Sequence, residues 1–134
     1  MGAWGNGVWQ DDAADDVVKM FDKLLAAGST PSEAVQRVIA HPPWGWGDWD
    51  DTPVQVLALA ALALEYGILT ASLRNWAIAE IESGAPLDRW TESTPEDIAN
   101  RTEVLERFKV MLIRGTATPE ELKSVTTPEA FSLW

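Results

Sequence analysis

The residues best suited to chemistry lie in one stretch, His41-Pro42-Pro43-Trp44-Gly45-Trp46-Gly47-Asp48-Trp49-Asp50-Asp51. Trp44, Trp46 and Trp49 offer flat apolar faces of the kind enriched at interface hot spots. Asp48, Asp50 and Asp51 add hydrogen-bond acceptors and negative charge. Tryptophan exposed in a loop is costly unless it packs or binds. Two readings follow. Trp44, Trp46, Asp48, Trp49, Asp50 and Asp51 form a partner- or ligand-binding site, or the loop is a lid that closes one end of the fold. The aspartates are hard oxygen ligands, but they lack the spacing and distal Glu of an EF-hand loop. No metal site and no cofactor is therefore expected.

No catalytic set stands out elsewhere. With no cysteine there is no thiolate nucleophile, thiolate zinc site or disulfide, which fits a reducing cytoplasm. His41 is the only histidine, and the residue three before it is Val38, so the paired Glu-x-x-His units of a di-iron bundle are missing. Next to Pro42, at the end of a helical pattern, His41 reads as a cap or surface residue. Neither a P-loop nor a dinucleotide-binding glycine motif occurs; Gly5-Asn6-Gly7 opens no βαβ unit. Carboxylates are plentiful, but nothing singles out a pair for glycoside hydrolysis. No catalytic residue is assigned, and the protein reads as a binder more than an enzyme.

The elements that must position this loop are punctuated by one repeated signal. Thr-Pro occurs at Thr30-Pro31, Thr52-Pro53, Thr94-Pro95, Thr118-Pro119 and Thr127-Pro128. Threonine caps an orphan backbone N–H, and proline suits the first helical position because its missing N–H would go unpaired anyway. Glu33, Gln55, Asp97 and Glu121 stand three residues after the first four threonines, where a capping box needs a side chain that reaches back; Ala130 leaves the fifth cap weaker. Gly28, Gly67, Gly84 and Gly115 mark the stops. The predicted helices are about 12–27, 31–40, 53–66, 71–83 and 95–114, with short turns near 119–124 and 128–132.

The first helix carries Ala13, Val17, Val18, Phe21, Leu24 and Leu25 on one face, and the last long one carries Ile98, Leu105, Phe108, Met111 and Leu112. The helix from Pro53 is apolar on every side and rich in alanine, which places it at the centre of a bundle. No strand or hairpin pattern appears. The expected architecture is all-α: one domain over residues 1–134, a bundle of about five helices, the Ala/Leu-rich one central, plus short C-terminal helical turns. It has a Gly/Trp motif at 1–11 and the Trp/Gly/Asp loop at 41–52.

The N-terminal motif is Met1-Gly2-Ala3-Trp4-Gly5-Asn6-Gly7, then Val8-Trp9-Gln10, then Asp11-Asp12-Ala13-Ala14-Asp15. Over about residues 1–27 it resembles a bacterial family of small proteins, the domain of unknown function numbered 4259. Its members open M-G-x-W-G-x-G, then an aromatic residue, usually Phe where Trp9 stands here, then D-x-A-x-D. The resemblance implies a bacterial, mostly helical single domain and assigns no activity. Physically, Gly5 and Gly7 permit turns, Trp4 and Trp9 can fold back as plugs, and Asp11 or Asp12 can cap the first helix. Asp15 adds charge that the helix dipole favours. Trp4 and Trp9 are expected to pack with Trp44, Trp46 and Trp49 at one end of the bundle.

The net charge of −11 argues against nucleic-acid binding, which needs a basic footprint, and suits a basic partner or simple solubility. No Lys or Arg precedes Lys19, so no secretory leader is expected, and no apolar run approaches the ~20 residues needed to span a bilayer. The leading expectation is a cytoplasmic, non-enzymatic acidic protein that engages a basic protein, with an immunity or antitoxin role as one instance. The alternative is a small-molecule or carbohydrate-binding domain with weak hydrolase activity at the Trp/Asp loop. A subunit of a homo-oligomer is a third possibility.

Overall fold

The computed structural model describes residues 12–43, 45–47, 52–83 and 95–126. Among these there are six helices and no strand: α1 (Asp12–Ala26), α2 (Pro31–Ala40), α3 (Thr52–Glu65), α4 (Ala71–Glu82), α5 (Pro95–Arg114) and α6 (Pro119–Thr126). The fold is an all-α bundle. No helix among the described residues is long and apolar enough to cross a membrane.

The bundle is built around α3. Every residue from Pro53 to Leu64 is buried, as the unbroken run of Val, Leu and Ala requires. α1, α2, α4 and α6 all pack on it, while α5 packs on α4 and α6. α1 contributes Ala14, Val17 and Phe21, with Val18, Leu24 and Leu25 partly buried beside them. α5 contributes Val104, Leu105, Phe108, Met111 and Leu112. The side chains of Ala13, Asp97 and Ile98 lie outside the described residues, as do Gly84, Thr94 and the segment 128–132.

The helix ends show how the punctuation works. Thr30 accepts from the Glu33 N–H at 3.2 Å and Glu33 Oε1 accepts from the Thr30 N–H at 3.0 Å, a complete capping box. Thr118 and Glu121 repeat it at 3.1 and 3.0 Å. Here Arg114, the last residue of α5, also donates to both Glu121 carboxylate oxygens at 2.7 Å and ties the two helices together. Thr70 caps α4 by accepting from the Leu73 N–H at 3.2 Å, a start without a proline.

The helices α1 and α3 stop one residue before the predicted ends because their last turns close as Schellman motifs. Gly28 and Gly67 adopt φ of +103° and +69°. Ser29 donates to Leu24 O and Gly28 to Leu25 O; Ile68 donates to Ala63 O and Gly67 to Leu64 O. A Cβ at Gly67 would meet no atom within 4 Å, so the left-handed backbone is the whole constraint.

Two tests follow. Gly67→Ala is expected to cost about 1–2 kcal/mol in urea denaturation, the left-handed penalty for an L-residue. Gly47→Ala, at a glycine with equally open surroundings and no left-handed φ, should stay within about 0.5 kcal/mol of wild type. The second test is pH. Desolvation, then the charge of Asp22, holds the Glu65 carboxyl above its ordinary 4.5. Arg114 and the Thr118 N–H hold that of Glu121 below it. Glu65 therefore favours the fold most below its unfolded value, and that advantage is lost as pH rises through its folded value. Glu121 favours the fold above its unfolded value, and that advantage is lost as pH falls through its folded one. Glu65→Gln should raise stability at about pH 7, and Glu121→Gln should lower it; both differences should shrink as the pH is brought down to about 4.

Candidate functional site

The loop between α2 and α3 leaves the bundle where α2 ends. His41 is the C-cap of α2, with its backbone N–H donating to Arg37 O at 2.9 Å; its side chain is exposed. The chain then turns, with Gly45 N–H donating to Pro42 O at 3.2 Å and Gly45 at φ +75°. Glycine is needed there, because an L side chain rarely takes that conformation.

Trp46 follows the turn and is built into the fold. It is partly buried against the core. Its indole Nε1–H donates to Ile39 O at 2.8 Å, a carbonyl of the last turn of α2. Its ring meets that of Trp76, from α4, edge-on at 4.9 Å between centroids and 62° between planes. This is a favoured aromatic geometry, worth about 0.5–1.5 kcal/mol beyond the area buried. The polar tip and the apolar body of the indole are thus both occupied within the chain.

The backbone around Trp46 is held from α3. Thr52 Oγ1 donates to Trp46 O at 2.8 Å, and Gln55 Nε2 donates to Gly45 O at 2.7 Å. The two residues expected to cap α3 therefore put their described side-chain bonds into the loop. Gln55 is fully buried and is the only buried polar side chain among the described residues. A buried amide is costly unless bonded, so its bond to Gly45 O is integral to the core.

The structure thus locates Trp46 among the candidate residues and makes it the anchor of the loop. Trp44, Asp48, Trp49, Asp50 and Asp51 lie outside the described residues, as do Trp4, Gly5, Gly7, Trp9 and Asp11. The expected packing of the two Trp-rich segments falls there too. Asp12 begins α1, and Asp15 pairs with Lys19 at 2.8 Å on the exposed side of that helix, one turn apart. Sequence reasoning did not single out Trp76, and it read Gln55 only as a helix cap. The signal for Gln55 was present: it is the one polar residue between Val54 and Leu64. Among the described residues no three acidic or histidine side chains come together in a way that could hold a metal ion.

Bundle and connection together define the protein as an all-α domain in which the described loop residues, Gly45 to Gly47, are tied to α2, α3 and α4. No protein-family model, curated protein or solved structure matches the chain.

Removing the anchor should show its part in the fold. Trp46→Ala is expected to cost about 2–4 kcal/mol in urea denaturation, somewhat below a fully buried aromatic truncation. Trp46→Phe keeps an aromatic ring against Trp76 and leaves Ile39 O without its donor, for about 1–2 kcal/mol. Both should weaken the near-ultraviolet circular dichroism of the Trp46–Trp76 pair. If Trp46→Ala leaves stability and that spectrum unchanged, the anchoring role is wrong.

Proposed function

We propose that the protein is a non-enzymatic acidic binding protein that engages a basic protein partner, an immunity or antitoxin role being one instance. The observation that carries this reading is the charge balance, 21 Asp and Glu against 10 Lys and Arg. Among the described residues, Lys19, Lys109 and Arg114 are already paired with the chain's own carboxylates. Such a field speeds encounter with a basic surface, and aromatic anchors then hold it. The contact is assigned to Trp44 and Trp49 with Asp48, Asp50 and Asp51, on their residue types. Trp46, whose indole is satisfied internally, serves as the anchor of that segment. The resemblance of the N-terminal motif to the bacterial domain of unknown function numbered 4259 and the absence of cysteine, which suits a reducing cytoplasm, go with this reading.

The test is affinity capture from a native bacterial lysate, followed by a binding titration of the recovered protein. The partner should be basic, and its association should slow as salt rises from roughly 0.05 to 0.3 M, where screening shortens the reach of charge. Trp44→Ala combined with Trp49→Ala should weaken binding about tenfold or more without lowering the melting temperature. Capture of no basic protein, or a double variant that binds as wild type does, would overturn the proposal. Quenching of Trp fluorescence by a sugar or metabolite in its place would favour the carbohydrate or small-molecule reading.

A further inference from the structure

Eleven of the twelve buried residues from Pro53 to Leu64 are apolar, and Gln55 is the exception. A leucine would match its volume and continue the pattern of the helix, so packing alone gives no reason for an amide. The amide donates to Gly45 O at 2.7 Å, a bond that leucine could not make. Thr52, three residues earlier and on the same face of α3, donates to the next carbonyl, Trp46 O, at 2.8 Å. Two successive peptide carbonyls of the loop are therefore gripped from one turn of the central helix, and the first belongs to a residue at φ +75°. The Trp46 ring holds the loop against Trp76 and Ile39, but a side-chain contact does not orient the peptide planes on either side. Rotation of the Gly45 peptide would break its bond from the buried amide, and this favours the present orientation.

We propose that Gln55 is the positioning residue of this loop: its buried amide sets the peptide at Gly45 and so the direction in which the chain departs on both sides of Trp46. That this tunes recognition rests on the basic-partner reading; the positioning itself does not.

The experiment uses the full chain, labelled with nitrogen-15, as wild type, Gln55→Leu and Gln55→Glu. The Trp46 indole N–H is identified by its loss in Trp46→Phe, and its hydrogen exchange is compared with the amides of Leu57 to Ala63. In Gln55→Leu the indole and the Gly45 amide should exchange about tenfold faster or more, while the core amides keep their protection, the mark of a local opening. Gln55→Glu should behave alike at neutral pH. At acid pH its protonated carboxyl regains a donor, and its indole should exchange more slowly than that of Gln55→Leu under the same conditions. Indole and core amides accelerating together would mean a general loss of stability and would overturn the proposal, as would no acceleration at all. A deca-lysine peptide serves as the basic probe. Gln55→Leu should bind it about tenfold more weakly than wild type, a change of 1.4 kcal/mol, and equal binding would sever positioning from recognition. If the wild type does not bind the peptide, the basic-partner reading suffers and the exchange result still decides the role of Gln55.

Discussion

A helix with no polar face must be surrounded. That requirement on α3 orders the rest of the molecule, because α1, α2, α4 and α6 each supply one side of its enclosure. Its alanines, Ala58, Ala60, Ala61 and Ala63, are wholly buried, and their short side chains let the neighbouring backbones come close. α5 stands outside this shell, against α4 and α6. It is joined to α6 by a brief connection that the Arg114–Glu121 pair and the Thr118 cap close.

The same requirement explains the loop. Chain leaving α2 at the periphery must enter the axis of the bundle at Thr52. The partly buried backbone at Gly45 and Trp46, which precedes it, has carbonyls that need partners. Thr52 and Gln55 supply two of them, and the Trp46 indole supplies a third to α2. The residues that tie the loop down are thus the ones that let α3 begin inside. The α2–α3 connection and the core share one hydrogen-bond network, so a change at Gly45 or Trp46 is also a change in folding.

Much of the fold was legible because it is written locally. Thr30 with Glu33, and Thr118 with Glu121, act within one turn of helix, and Gly28 and Gly67 within the next, so residue types and spacing suffice. The depth of α3 could be read from its unbroken apolar run. The site was legible only in part. Trp46 belongs to an unusual stretch, but whether an indole faces a partner or a core depends on what lies opposite. Trp76 is on a different helix, far along the chain. Gln55 sits at the right spacing for a cap, and spacing cannot reveal that its amide reaches into the loop. Arg114 finds Glu121 only because of the angle at which two helices meet.

The enclosure of α3 has a consequence for how such a sequence can drift. The segment under the tightest physical restraint is spelled almost wholly in Val, Leu and Ala, the letters that buried helices everywhere share. Exchanges among them can go on for as long as total volume is kept, and each leaves the helix looking like any other. Distinctiveness is concentrated instead in a few positions where an apolar residue would not do, and Gln55 is the one such position inside the helix. Descent in a lineage of these bundles would be better traced by that amide and its glycine acceptor than by the core that surrounds them.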